Sequence, residues 1–350
     1  MGHNGVMSQP PVVVVGASAG GVEPLKRLVA ALPPEFPGSV FVVLHVPPYS
    51  RSHLPHILSR AGTLPAVHPE DGEPALPGRI YVAPPDHHLL IEEDRVGVKN
   101  GPKENRFRPS VDALFRSAAY TRGAGVIGVV LSGVLDDGAS GLWTVKRRGG
   151  VAVVQDPADA EFGSMPLSAL EQVDVDHILP AADIGALLAR LVGERAAPGA
   201  EVPMSEDEQR RLEVEVKIAS GGHALELGWT ELAQPSPFSC PECHGVLFTV
   251  QEGPAARFRC HTGHAYTMEA LLTEVSETIE EKLYQTLRAM EEGVLLLRRM
   301  EQRAAQSGDP GNAARLLDKA RQVERQSQLL QRLTQQDAGA RLDDVLPGPG

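Results

Sequence analysis

The stretch Val12-Val13-Val14-Val15-Gly16-Ala17-Ser18-Ala19-Gly20-Gly21 decides the fold. Four consecutive β-branched residues read as a strand buried on both faces, as in a parallel sheet covered by helices. The small residues behind them form a tight turn into a helix. That turn lies at the carboxyl edge of the sheet, where open α/β folds bind ligands. A dinucleotide fingerprint needs glycine where Ser18 stands, and a P-loop needs a Gly-Lys-Ser/Thr that does not follow. Two readings remain. One is a nucleophile elbow of the G-x-S-x-G type, and the other is a turn whose serine only caps the helix.

Working outward, apolar runs at 40–44, 80–83, 126–131, 151–154 and 175–179 alternate with helical patterns. One such helix is expected over 110–121, and another over 182–192 closes the region. Runs at 89–91 and 96–98 suggest a small antiparallel hairpin inserted in the scheme. The expected fold class is therefore α/β, a doubly wound and mostly parallel sheet.

Two further residues favour the elbow. His45 ends the second run, and Asp137 lies in the glycine-flanked loop Gly133-Val134-Leu135-Asp136-Asp137-Gly138 after a later one. A histidine at a strand end is more often structural, and an acid before a helix is often only a cap. Three such residues at three strand ends nevertheless match one chemistry. A serine hydroxyl needs an imidazole to take its proton, and the imidazole needs a carboxylate to fix its tautomer. Asp136 is the rival for the acid. Backbone N–H groups near Gly20 and Gly21, or in the Gly133 loop, are the candidates for holding an oxyanion. The chain order Ser, His, Asp differs from the Ser, Asp, His order of α/β-hydrolases.

These segments together resemble the catalytic domain of chemotaxis protein-glutamate methylesterases (CheB). The matching stretches are 12–25, 42–47, 80–84, 108–115, 129–141 and 155–166. The resemblance implies a methylesterase-type sheet and hydrolysis of glutamate γ-methyl esters on chemoreceptor-like proteins, with glutamine deamidation as a side activity. It implies Ser18 as nucleophile, His45 as base and Asp137 as orienting acid, with no cofactor for catalysis. It also implies that the loop at Met165 lies beside the site. Two residues depart from the pattern: Ala19 replaces a threonine, and Leu135 replaces the second glycine of a Gly-Met-Gly-type loop. No room is left before residue 12 for the family's usual receiver domain, so control by phosphorylation in cis is not expected.

The net charge of -12 argues against nucleic-acid and anionic membrane partners. No apolar run approaches the roughly 20 residues a membrane span needs, and residues 1–10 read as a disordered leader rather than a signal peptide. The chain is expected to be cytoplasmic.

The only three cysteines fall in Cys240-Pro241-Glu242-Cys243 and Cys260-His261-Thr262-Gly263-His264. Two short knuckles at this spacing predict a structural zinc site. Its ligands would be Cys240, Cys243, Cys260 and His264, with His261 and His244 as rivals for the fourth place. Alternating apolar residues between the knuckles suggest a small ribbon. The expected organisation is a catalytic domain over 11–193, a linker with one helix over 194–235, and a zinc ribbon over 236–266. A helical hairpin over 267–336 and a disordered tail over 337–350 complete it. Ser205 and Glu208 form a capping-box signature in the linker. The hairpin's alternative use is self-association as a coil. The competing function is a weakly active or non-catalytic signalling protein that docks through ribbon and helices. A third reading is a small-ester hydrolase.

Overall fold

The computed structural model describes residues 10–194, 203–253 and 255–336, in two compact units, one reaching Ala270 and the other starting at Leu271. The expected leader (to residue 9), the linker at 195–202 and the tail at 337–350 lie outside the described residues.

In the first unit the chain runs β1 (Val12–Ala17), α1 (Val22–Ala30), β2 (Ser39–Leu44), α2 (Leu54–Ala61), β3 (Ala66–Val67) and β4 (Ile80–Val82). The hairpin β5 (His88–Glu92) and β6 (Arg95–Lys99) follows, in the place its alternating runs indicated. Next come α3 (Val111–Arg122), β7 (Val126–Val130), α4 (Ala139–Arg147), β8 (Val151–Gln155), α5 (Ser164–Gln172), β9 (His177–Leu179) and α6 (Ala181–Glu194). Seven strands form one sheet in the order β3-β4-β2-β1-β7-β8-β9, all parallel. Strand order reverses at β1, so the ends of β2, β1 and β7 bound the crevice that doubly wound sheets offer to ligands. Val175 lies outside β9, so the last strand is shorter than its apolar run.

Alternate residues of each strand serve two cores. Val13, Val15, Val40 and Val42 pack with Leu25 and Leu28 of α1 and Ile184 and Leu188 of α6. Val12, Val14, Phe41 and Val43 pack with Leu114 and Phe115 of α3 and Leu142 and Val145 of α4. Burial on both faces is why these strands carry uninterrupted valine rather than an alternating pattern.

The same unit continues through α7 (Glu206–Ala219), which begins with the expected capping box of Ser205 and Glu208, and α8 (Trp229–Leu232). A four-stranded antiparallel ribbon follows: β10 (Gln234–Ser239), β11 (Val246–Glu252), β12 (Ala255–Cys260) and β13 (Ala265–Thr267). The linker expected over 194–235 runs into the first of these strands. The chain there is an edge strand, where the missing N–H groups of Pro235 and Pro237 disturb only one ladder.

The second unit holds most of α9 (Met268–Gln306) and α10 (Pro310–Gln336). Gly308, at φ +79°, turns the chain between them. The two helices are tied by Arg298 and Glu324 at 2.9 Å, with Leu287, Val294, Ala304, Ala313 and Ala320 buried. Among the described residues no helix is long and apolar enough to cross a membrane.

Candidate active site and metal centre

Ser18 follows β1 directly. Its N–H bonds to the Ser132 carbonyl at 2.9 Å, which extends the β1–β7 ladder into the turn. Gly20 takes φ +69°, a conformation glycine adopts without steric cost, and Gly21 is the N-cap of α1. Ser18 thus stands ahead of the cap. Its hydroxyl lies 3.1 Å from Nδ1 of His45. His45 leaves β2 one strand away, with its N–H on the Ala17 carbonyl. Its Nε2 is 2.8 Å from Oδ2 of Asp137, and both side chains are buried. A carboxylate on Nε2 fixes the proton there and leaves Nδ1 as the acceptor for the serine. The ring nitrogens are used in the opposite sense to the Ser-His-Asp template, in which Nε2 faces the serine.

Asp137 is held more firmly than the sequence implied. Its Oδ2 accepts the Val111 N–H at 2.7 Å, and its Oδ1 accepts from the Ser110 hydroxyl at 3.0 Å and the Asp112 N–H at 3.2 Å. These groups open α3, so the carboxylate sits on a helix N-terminus. Asp112 returns the arrangement by accepting the N–H groups of Gly138 and Gly141, which open α4. The Asn105 amide bridges the two acids, donating to Asp112 and Asp137 at 2.9 Å each. Burial works to raise the Asp137 pKa. The His45 bond and charge, then Asn105 and the Val111 amide, outweigh it and hold the carboxyl at about 2. Asp136 is turned away from the imidazole and accepts from the Thr267 hydroxyl at 2.7 Å. Burial and the Glu269 carboxylate push it up to about 7. Leu135, at φ +64°, occupies the left-handed region that the family's glycine would enter freely, yet Asp137 still reaches His45.

Phe107 stacks on His45 with ring centroids 3.7 Å apart and planes 8° from parallel. It fixes the ring's plane as Asp137 fixes its edge. The sequence reading passed over Phe107, Asn105 and Ser110. A lone aromatic in the polar run Asn105-Arg106-Phe107-Arg108 was the available signal, in a chain only 4% aromatic.

The remaining expected residues sit around the elbow. The Gly21 N–H is bonded to the Ser18 carbonyl, and the Gly133 N–H to the Phe162 carbonyl. Met165, in the first turn of α5, is buried and bonds through its N–H to the Gly133 carbonyl. A Cβ on Gly133 would overlap the Met165 sulfur and stand 2.8 Å from the Ser18 Cβ. Glycine here lets the strand end, the methionine and the nucleophile meet.

The ribbon gathers a second group. One ligand atom each from Cys240, Cys243, Cys260 and His264 lies within 4.8 Å of the others. Cys243 Sγ is 3.6 Å from Cys260 Sγ, and His264 Nδ1 is 3.6 and 3.7 Å from the sulfurs of Cys260 and Cys240. A tetrahedral ion with bonds of about 2.3 Å to sulfur needs edges of about 3.7 Å, so the donors fit. The other ring nitrogen of His264 is 3.4 Å from Glu242, the carboxylate partner that metal-bound imidazoles commonly have. These four residues make up a group that could hold a metal ion.

The family model for CheB methylesterases matches residues 13–188. A putative protein-glutamate methylesterase/protein-glutamine glutaminase of Leptospira interrogans is 39% identical over 180 residues, 51% of this chain and 93% of that one. Protein-glutamate methylesterase/protein-glutamine glutaminase 4 of Anaeromyxobacter dehalogenans is 40% identical over 187 residues, 52% of each chain. The crystal structure of the Thermotoga maritima CheB methylesterase catalytic domain superposes with a TM-score of 0.50 at 34% identity, covering 52% of this chain and 99% of that one. With this sheet, this elbow and these relatives, the chain belongs to the CheB methylesterase family.

Proposed function

We propose that this chain is a protein-glutamate methylesterase with Ser18, His45 and Asp137 as its catalytic residues. The observation that carries the reading is the relay from the half-buried Ser18 through His45 to the buried Asp137, at 3.1 and 2.8 Å. Ser18 Oγ attacks the γ-ester carbonyl of a glutamate while His45 Nδ1 takes its proton. The tetrahedral adduct collapses, the carbon–methoxy bond breaks, and His45 returns the proton to the leaving methanol. Water then adds to the glutamyl-serine ester, His45 again takes and returns a proton, and free glutamate and Ser18 are restored. Asp137 stays ionised and stabilises the imidazolium in both halves. Oxyanion stabilisation falls to backbone N–H groups of the Gly20 turn and the 133–138 loop other than those of Gly21, Gly133 and Gly138, which are spent on Ser18, Phe162 and Asp112. Met165 closes one wall of the site. A glutamine side chain presented to the same serine would release ammonia, which makes deamidation the natural side reaction.

The substrates are methylated chemoreceptor-like proteins of the cytoplasm, where the three thiols stay reduced. Cys240, Cys243, Cys260 and His264 hold a structural zinc ion, which when bound fixes the ribbon's two knuckles and takes no part in ester hydrolysis.

The test is methanol release from a methylated receptor fragment. Wild type should release methanol, and Ser18→Ala should lower the rate by at least about a thousandfold. Equal rates for the two proteins would end the reading.

A further inference from the structure

Residues 103–105 meet the ribbon's edge strand β13 in a single parallel bridge. The Asn105 N–H donates to the Ala265 carbonyl at 2.8 Å, and the Ala265 N–H donates to the Lys103 carbonyl at 3.2 Å, with Glu104 and Ala265 in a parallel bridge. All three side chains are held by the ribbon as well. Lys103 reaches Glu242 at 3.1 Å, between two of the metal-site cysteines. Glu104 accepts from Arg259 at 2.8 Å, next to Cys260. Asn105 accepts the Thr267 N–H on its amide oxygen at 2.9 Å, three residues after His264. With that oxygen committed, the amide nitrogen is forced toward Asp112 and Asp137, each 2.9 Å away. Both faces of the Asn105 amide are therefore used, one on the ribbon and one on the acid that orients His45.

The path from the cluster to the acid is short. The His264 carbonyl accepts the Cys260 N–H at 2.9 Å, and the next residue, Ala265, holds the Asn105 backbone. A metal ion bound by Cys260 and His264 closes the turn from which β13 starts. Without one, β13 keeps its ladder to β12 but loses the clamp at its beginning.

We propose that Asn105 is a positioning residue for Asp137 and that the ribbon's metal site, through β13, sets where it stands. This rests on the esterase reading for its consequence in turnover, but the coupling itself is a property of the fold. Binding free energies are reciprocal: a metal that orders Asn105 is in turn held better when Asn105 is bonded to the acid.

The test uses the full chain loaded with zinc. Asn105→Gly removes the amide and suits the backbone, because Asn105 already takes φ +49°. Three readouts decide the matter. The first is kcat and KM for methanol release. The second is the low-field proton resonance of His45 Nε2–H. The third is the affinity for zinc, read by equilibrium competition with a chromophoric chelator. The variant should keep one zinc per chain and lose about ten- to a hundredfold in kcat with KM within about twofold, the worth of one hydrogen bond to a charged group. The low-field proton should broaden, and zinc should bind at least about fivefold more weakly. Stripping zinc from wild type should reproduce the kcat and proton changes, and stripping it from the variant should add little. Unchanged zinc affinity and an unchanged proton resonance in Asn105→Gly would overturn the proposal. So would equal and independent losses from stripping and from substitution. Should loaded wild type release no methanol, the resonance and the zinc affinity still decide the coupling, so failure of the esterase reading is seen separately. Should stripped protein unfold, the zinc-affinity comparison between the two loaded proteins remains.

Discussion

Gly133→Ala tests whether the nucleophile's position depends on the close approach of three elements. The added Cβ would stand 2.8 Å from the Ser18 Cβ and 2.9 Å from the Met165 Cγ. Carbon atoms rest at about 3.5–4.0 Å, so the serine must retreat by about 1 Å or the strand end must open. The Ser18 hydroxyl is only 3.1 Å from His45. A misplacement of about 1 Å costs on the order of a hundredfold in rate. Overpacking adds a stability cost of about 1–3 kcal/mol, read as a Tm lowered by about 2–4 °C for each kcal/mol in a domain of this size. The assay is methanol release alongside thermal unfolding. Adding Met165→Ala separates the two collisions. It frees the flexible methionine side and recovers part of the Tm, but leaves the clash with Ser18, so the rate stays low. A single variant with wild-type kcat and an unchanged Tm would show that the strand end is loosely packed, and the reasoning from close approach would fail.

Two further outcomes follow from the neighbouring aspartates. Asp137→Asn should lower kcat by about a hundred- to ten-thousandfold, because the imidazole loses its tautomer partner, whereas Asp136→Asn should stay within about tenfold of wild type; steady-state rates compare them directly. Their pH effects on stability have opposite signs. Asp137 is depressed to about 2 from 3.8, so its contribution is present above about pH 4 and is lost as pH falls toward 2. Asp136 is raised to about 7 from 3.8, so its contribution is present below about pH 4 and is lost as pH rises through 7. Asp136→Asn should therefore gain on wild type between pH 4 and pH 8, by on the order of 4 kcal/mol in denaturant unfolding. A gap that does not change with pH would refute the assignment of Asp136 as a buried, protonated acid.

The valine runs made the sheet legible because burial on both faces leaves no other use for so many β-branched residues. Ser18 and His45 were legible for a related reason: strand ends in a doubly wound sheet converge on one edge, so sequence position alone brings them together. Asp137 was less so. Nothing local separates it from Asp136; the choice is made by which carboxylate meets the opening of α3, a contact between residues 26 apart. Asn105 and Phe107 act through distant partners and carry no periodic signature. Pro235 and Pro237 concealed β10, since proline marks a break in most contexts and an edge strand in few. The knuckle spacing announced the Cys/His cluster, but not that β13 bridges Glu104 of the catalytic part at its edge.

Least visible in the sequence was the charge buried between ribbon, α7 and the catalytic part. Glu104, Glu215 and Glu252 face Arg116, Arg257 and Arg259, and all six are buried. Glu104 pairs with Arg116 and Arg259, Glu215 with Arg257 and Arg259, and Glu252 with Arg257. The guanidinium groups hold the Glu215 carboxyl far below its ordinary range against the opposing effect of burial. Charges in sequence read as solvated; here three arginines match three glutamates, while a fourth buried carboxyl, Asp112, lies 3.9 Å from Arg116 and is raised well above its ordinary range by burial. Arg259→Met keeps an apolar chain beside Trp229, whose ring lies 5.5 Å from the Arg259 guanidinium carbon, but leaves three carboxylates with two cations. It should cost about 3–5 kcal/mol in denaturant unfolding. Glu215→Gln alone should also destabilise, by leaving a cation in excess. Together the two substitutions leave Glu104 with Arg116 and Glu252 with Arg257, two intact pairs, so the double variant should be more stable than the sum of the singles by at least about 1 kcal/mol. Strictly additive effects would mean that water reaches these groups and that the two charges do not act as one buried network.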